Sequence, residues 1–350
     1  MKIVVLMLGR FGDLVLSTPM LRELATYSHS GKIDLICGAK NYQLLKNEPY
    51  VNKIYVLDKR PYHFLKFILM LLTDQYDWFI DPKDHRSSES KILSFIVRAT
   101  KKIGYKENHG RFDEYVDRLD DYSGHEEKRS HHSAKIMNVM KFLQNDMIIE
   151  REGYLPSLTL GSKEEAKIKS FLFSRKINRY VVLNISASTE YRYPVNSFWI
   201  DLFERIQLNL PIIVIYAPSE SAKAKSLLAS FQTLKINSNL QWNAFDFGTA
   251  EFTEITALIA ESQLLITPDT AVVHVAAAFD IPVFGLYSWY EYKTRAFYPL
   301  SSEKVILWAK EGDAGVKSIT TDEAVEAWYK SDFGERFSNN RDNNNKKHYS

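Results

Sequence analysis

The chain has 350 residues, more than one compact core usually holds, and its 45% hydrophobic and 25% charged content excludes a largely disordered or fibrous protein. Forty-five Lys and Arg against 43 Asp and Glu leave a net charge of +2, too small a global field to grip nucleic acid, so no nucleic-acid partner is expected and any anion site must be local. A single cysteine, Cys37, excludes an intramolecular disulfide framework and any multi-cysteine metal site, and fits a reducing, cytoplasmic setting.

Residues 3–8 form a continuous β-prone run that stops at Gly9-Arg10 without a small-residue cleavage site, so it reads as a buried strand rather than a secretory signal. Gly9-Arg10-Phe11-Gly12-Asp13 turns the chain, and residues 14–27 show apolar side chains at helical spacing. Residues 33–37, 54–57 and 78–80 follow as strands, with helical segments at 62–72 and 88–100. The apolar stretch 64–72 carries Lys66 and falls short of the roughly 20 residues a membrane-spanning helix needs, so no transmembrane span is expected. After a polar connection near 150–162 a second series begins, with strands at 180–185, 212–216, 264–267 and 282–287. Its helices are expected at 197–209, 220–231, 252–261 and 271–279. From Phe333 the chain turns polar and Asn-rich and is expected to be disordered. The alternation predicts an α/β protein of two Rossmann-like domains with parallel sheets facing a central cleft, residues 1–155 and 156–332, followed by a tail at 333–350.

Three segments could carry chemistry. The loop Gly9 to Asp13 lies at the end of the first strand, where open α/β sheets meet their ligands, and its glycines allow close backbone approach. Asp13 stands at the start of the next helix, where capping is the plain alternative to catalysis. The spacing fails G-x-G-x-x-G, and no G-x-x-x-x-G-K-[ST] occurs, so the dinucleotide and P-loop readings lose their support. In Thr267-Pro268-Asp269-Thr270-Ala271-Val272-Val273-His274 a strand ends at Thr267 and Asp269 or Thr270 would cap a helix whose N–H groups suit a diphosphate. The alternative is an ordinary capped helix with a buried, hydrogen-bonded His274. In Asn184 to Pro194 a strand runs into hydroxyl residues, Ser186, Ser188 and Thr189, with one guanidinium, Arg192, a phosphate-binding composition.

Together these segments resemble glycosyltransferase family 9, the bacterial heptosyltransferases of lipopolysaccharide core assembly. The matching residues are Arg10-Phe11-Gly12-Asp13-Leu14-Val15-Leu16-Ser17-Thr18-Pro19, then Asp269 to His274 with Ala276 to Ala278 and Pro282-Val283. Weaker echoes are Tyr76-Asp77-Trp78-Phe79-Ile80-Asp81 and Ala217-Pro218-Ser219-Glu220, and the similarity runs to about residue 310. The resemblance implies the GT-B fold, an acceptor-binding first domain and a nucleotide-sugar-binding second one. It implies that Asp13 is the general base of an inverting displacement, with Arg10 and Gly12 beside it on the acceptor side. It also implies that Asp269, Thr270 and Ala271 hold the donor's sugar and diphosphate and that Glu220 lies near the nucleotide, with Ser188, Thr189, Arg192 and His274 completing the donor side. The family's Lys-Arg-Trp-Pro or Lys-His-Trp-Pro loop reads Tyr191-Arg192-Tyr193-Pro194 here, so Arg192 is the substitute for the missing lysine, or the donor differs.

No Asp-x-Asp occurs, and the trio His125, His131 and His132 reads as a solvated loop, so no metal and no cofactor is expected. Between residues 83 and 111, Lys83, Arg86, Lys91, Arg98, Lys101, Lys102, Lys106 and Arg111 outnumber Asp84, Glu89 and Glu107 by eight to three. Lys101, Lys102 and Arg111, in a polar segment after the helix, are expected to attract an anionic glycolipid acceptor. The expected partners are therefore a nucleotide-sugar donor, ADP-heptose first, and a lipopolysaccharide-core glycolipid, with peripheral contact at the inner face of the cytoplasmic membrane. Competing readings are a family 9 transferase using another nucleotide sugar, a sugar-nucleotide epimerase, and a non-catalytic nucleotide-sugar-binding protein.

Overall fold

The computed structural model describes residues 1–83, 86–105, 110–116, 131–143, 154–238, 242–288, 296–310 and 315–339, and the chain divides into two compact units, Met1–Gly161 and Ser162–Ser350. The first unit holds strands β1 (Ile3–Met7), β2 (Ile33–Gly38), β3 (Val51–Leu57), β4 (Tyr76–Ile80), β5 (Ala99–Tyr105) and β6 (Glu114–Val116), all parallel, in the order β3-β2-β1-β4-β5-β6. Its helices are α1 (Phe11–Thr26), α2 (Pro61–Thr73), α3 (Ser88–Ile96) and α4 (His132–Ile136). The central strand IVVLM is wholly buried, as a parallel strand covered on both faces requires. Asp74, at the end of α2, ties the amino ends of this sheet together: it accepts from Lys2 Nζ (2.7 Å), Lys53 Nζ (2.9 Å) and the Tyr55 hydroxyl.

Helix α1 contains Pro19, whose missing N–H would leave the Val15 carbonyl unpaired in the core. The Thr18 hydroxyl, fully buried, donates to that carbonyl at 2.7 Å and accepts from Ser157 N at 3.0 Å, so one side chain repairs the helix and anchors a distant segment.

The second unit repeats the plan. Strands β7 (Val181–Asn184), β8 (Ile212–Ile215), β9 (Ala244–Asp246), β10 (Leu264–Pro268), β11 (Val283–Tyr287) and β12 (Lys304–Trp308) run parallel in the order β12-β11-β10-β7-β8-β9. Counted from its own first strand, this is the 3-2-1-4-5-6 order of the first unit read from the other edge, and both sheets reverse direction beside their first strand. The helices are α5 (Ser162–Ser174), α6 (Asn196–Ile206), α7 (Ser221–Ser238), α8 (Phe252–Ala260), α9 (Val272–Ala278), α10 (Thr321–Lys330) and α11 (Asp332–Phe337). The core packs Trp199, Phe203, Phe231 and Trp242 edge to face or tilted.

Three expectations change. The helix expected to run to residue 100 ends at Ile96, and residues 99–105 form β5, so Lys101 and Lys102 lie on a strand rather than in a polar segment after a helix. His131 is not solvated: it is buried at the N-cap of α4, where its Nδ1 accepts from Ser133 N at 3.2 Å, while His125 lies outside the described residues. The tail expected from Phe333 begins later, because Phe333 and Phe337 of α11 are buried against Trp328, whose indole donates to Ser338 Oγ at 2.9 Å. Residues 340–350 lie outside the described residues.

Candidate functional site

In the second unit the switch point lies between β7 and β10, and the loops after those strands hold most of the residues singled out from the sequence. Asn184, the last residue of β7, joins them. Its amide nitrogen lies 2.9 Å from Thr267 Oγ1, 3.1 Å from Thr270 Oγ1 and 3.0 Å from the Ser186 carbonyl, and its Oδ1 accepts from Ser186 N. Ser186 Oγ in turn accepts from Ala217 N at 2.6 Å, which brings in the loop after β8. Sequence reasoning left Asn184 out of the site; a polar side chain closing the otherwise apolar, wholly buried strand VVLN is the signal that could have found it.

Arg192 and Asp269 meet at this junction. The Arg192 Nη1 lies 3.3 Å from Asp269 Oδ2 and 3.4 Å from the Asp269 carbonyl, and Asp269 is 6% exposed. Burial pushes the Asp269 carboxyl up to about 6 despite the guanidinium, which pulls it down. The Arg192 Nε is buried and makes no hydrogen bond among the described residues. The guanidinium thus meets one carboxyl through Nη1 and keeps a buried donor unmatched among the described residues.

Neither Asp269 nor Thr270 caps α9: the N-cap is Ala271, with no side-chain cap bond. The Thr270 hydroxyl instead accepts from Asn184. His274 is buried within α9, its ring centroid 6.3 Å from that of Phe297. Ser188 and Thr189 are exposed, and the Thr189 carbonyl accepts from Arg192 N at 3.1 Å, bending the loop so that the guanidinium turns inward. Glu220 ends a short turn after β8 and hydrogen-bonds the Tyr193 hydroxyl, which burial and that carboxylate raise to about 12. Lys223 Nζ, lowered by burial, lies 3.7 Å from the Tyr193 ring centroid. Sequence reasoning named neither Tyr193 nor Lys223 as a site residue.

In the first unit, Arg10, Gly12 and Asp13 gather at the start of α1, at the carboxyl end of β1. Arg10 is the N-cap, with no side-chain cap bond of its own, and its N–H donates to Asp13 Oδ2 at 2.8 Å, so Asp13 caps the first turn from the third helical position. The capping role is thus realised in the geometry, and it also fixes the carboxylate. A methyl group on Gly9 would fall 2.7 Å from Asp13 Cβ and 2.9 Å from Oδ2, so only glycine leaves that carboxylate its place. The Gly9 carbonyl accepts from the buried Asn41 at 2.7 Å.

The structure does not gather Lys101, Lys102 and Arg111 into one exposed basic patch. Lys102 is 8% exposed, its Nζ donates to the Ser94 carbonyl at 2.6 Å, and burial lowers it, so it is not a surface cation. Lys101, opposite Trp78 in the register, points to the other face, 3.5 Å from Glu114 and 5.0 Å from the Trp78 ring. Arg111 is exposed and its N–H donates to Ser94 Oγ. Lys106 lies outside the described residues. Strand alternation separates Lys101 from Lys102, which adjacency in sequence could not show.

Two solved structures share this fold across nearly the whole chain. The glycosyl transferase family 9 of Veillonella parvula DSM 2008 superposes with a TM-score of 0.77 at 17% identity, covering 94% of this chain and 96% of that one. The ADP-heptose lps heptosyltransferase II of E. coli gives 0.71 at 18% identity, with 94% and 98% covered. At such identities the likeness establishes the fold, and the class is GT-B, two doubly wound α/β units. A curated relative from Escherichia coli (strain K12), named "Putative lipopolysaccharide heptosyltransferase 4", is 25% identical over 287 residues, 80% of this chain and 72% of its own. The profile of glycosyltransferase family 9 (heptosyltransferase) matches residues 64–324, and the chain belongs to that family.

Proposed function

We propose that this family 9 glycosyltransferase transfers heptose from ADP-heptose, with inversion, to the inner core of a lipopolysaccharide or lipooligosaccharide acceptor. The observation that carries the reading is the pairing of the half-buried Arg192 with the buried Asp269 at the switch point of the second sheet, with its unmatched guanidinium donor. The relatives named for heptosyltransfer supply the sugar. In this reading Arg192 binds the diphosphate, and the Thr270 hydroxyl and the backbone at Ala271 complete its contacts. The Glu220 carboxylate takes a hydroxyl of the nucleotide. Asp13 accepts the proton of the acceptor hydroxyl as its oxygen attacks the anomeric carbon and the bond from that carbon to the diphosphate oxygen breaks. Charge grows on the departing diphosphate, where Arg192 faces it.

The reading assigns no metal, because no Asp-x-Asp is present and Arg192 supplies positive charge at the leaving group. Activity is expected to survive EDTA. A second reading, transfer from a different nucleotide sugar, is favoured by Tyr191 standing where the resembling family carries lysine. Incubation with a panel of ADP- and UDP-sugars and truncated core acceptors, read by mass spectrometry, separates the two. A heptose increment only with the ADP donor supports the first; a hexose increment replaces it with the second; consumption of donor without an acceptor product means epimerase chemistry.

A further inference from the structure

Among the described residues no helix is long and apolar enough to cross a membrane, yet α2 turns much of its apolar surface outward. Phe67 and Leu71 face the core, while Tyr62, Leu65 and Leu69 are 74%, 59% and 57% exposed and Leu72 is exposed beside them. These four recur at spacings of three and four and so form one stripe along a helix about 20 Å long. On α3, Ile92 and Phe95 are three residues apart and exposed at 50% and 58%.

The two helices present these side chains as one surface. Both follow strands whose successors lie toward the same edge of the sheet (β3 to β4, β4 to β5), which right-handed crossovers place on one face. They are pinned side by side at both ends. Lys59, just before α2, pairs with Glu89 in the first turn of α3 at 2.7 Å, and Arg98, just after α3, donates to the Leu72 carbonyl at the end of α2 at 3.3 Å. The unpaired charge on the two helices is positive: α2 carries Lys66 and no acidic residue, and α3 adds Lys91, while its acidic residue, Glu89, is paired with Lys59. Both lysines are exposed and make no ion pair with a described residue.

From this we infer that the outer face of α2 and α3 is a docking surface for an anionic lipid bilayer, with the apolar stripe entering the headgroup boundary and Lys66 and Lys91 on lipid phosphates. Exposed apolar side chains flanked by lysine stems are what an interfacial helix requires. A symmetric pairing of two copies would instead bring these lysines toward each other without acidic partners. The inference goes beyond the transfer reaction and does not depend on it, since a bilayer without glycan or nucleotide suffices.

The test is cosedimentation of the full chain with vesicles of phosphatidylglycerol and phosphatidylethanolamine, against phosphatidylcholine alone, with sedimentation velocity and thermal melting run on the same samples. The wild type is expected to bind the anionic vesicles and to bind phosphatidylcholine at least about tenfold more weakly. Leu65→Ser with Leu69→Ser is expected to lower binding about tenfold or more at unchanged melting temperature. Lys66→Glu with Lys91→Glu, which leaves the apolar stripe intact, should lower it by a similar factor and remove its salt dependence. No binding by the wild type, equal binding to both vesicle types, binding unchanged in either double variant, or a wild-type dimer that the leucine variant dissolves would each overturn the inference.

Discussion

Arg192 and Asp269 stand 3.3 Å apart, and the acid nonetheless titrates at about 6, because burial of the carboxylate outweighs the attraction of a guanidinium that is itself partly solvated. A carboxyl raised from its ordinary 3.8 contributes stability that is complete below that value and is lost as pH rises through about 6. The wild type should therefore lose stability relative to Asp269→Asn between pH 4 and pH 7, by on the order of 2 kcal/mol. Urea unfolding midpoints of the two proteins across that range check it; parallel curves would show that the acid is ionised throughout.

The same pair predicts how the donor binds. With Asp269 protonated, Arg192 is released from its internal partner, so affinity for ADP should rise as pH falls from 7.5 to 5.5 more steeply in the wild type than in Asp269→Asn. The asparagine variant corrects for titration of the nucleotide itself. Arg192→Ala should weaken ADP binding by roughly tenfold or more, and Thr270→Val by less, since a charge-assisted contact outweighs a neutral one. Calorimetry of the three variants measures both effects, and unchanged affinity in all of them would move the donor elsewhere.

Asp13 has two roles that two substitutions can separate. Asparagine keeps an oxygen to accept from Arg10 N, so Asp13→Asn should fold with nearly wild-type stability while turnover falls about a hundred- to ten-thousand-fold. Gly9→Ala leaves the acid but pushes its side chain aside, and a misplacement of an ångström or less should cost about tenfold or more in turnover at little change in donor affinity. If Asp13→Asn keeps more than about a tenth of the turnover, capping is the whole of its function.

Thr18→Val removes the hydroxyl that serves both the Val15 carbonyl and Ser157 N while keeping the shape of the side chain. Leaving buried groups unmatched should cost about 1–3 kcal/mol, read as a lower denaturant midpoint with unchanged slope. Thr18→Ser, which restores the hydroxyl, should recover most of the loss.

What the sequence revealed and what it hid follow a physical line. Strands buried on both faces announce themselves as mostly apolar runs, unbroken in β1 and β8 and interrupted by one polar residue in β2, β7 and β10, so these and β11 were legible. The strands missed, β5, β6, β9 and β12, lie toward the sheet edges, where fewer neighbours demand apolar residues: Lys101 and Lys102 in β5 and Lys304 in β12 disguise them. Helix α5 was hidden by its polar composition, with only Ile168 and Leu172 as buried apolar anchors. Of the candidate site, the sequence offered the residues whose loop chemistry is local, Asp13 and Arg192, Asp269 and Thr270. The site was illegible where partners meet across the fold: Asn184 with Thr270 and Lys223 with Tyr193 are joined by tertiary packing that no spacing encodes.

The Ser338 hydroxyl accepts from the Trp328 indole and donates to the Ile206 carbonyl at 2.5 Å, while Phe333 and Phe337 close over the same tryptophan. The end of the described chain is therefore a plug rather than a trailing thread. A stop codon placed at the onset of the polar composition, Phe333, would uncork the second unit and leave Trp328 and Phe284 open to water and to aggregation, so any shortening of this protein has to leave Ser338 in place.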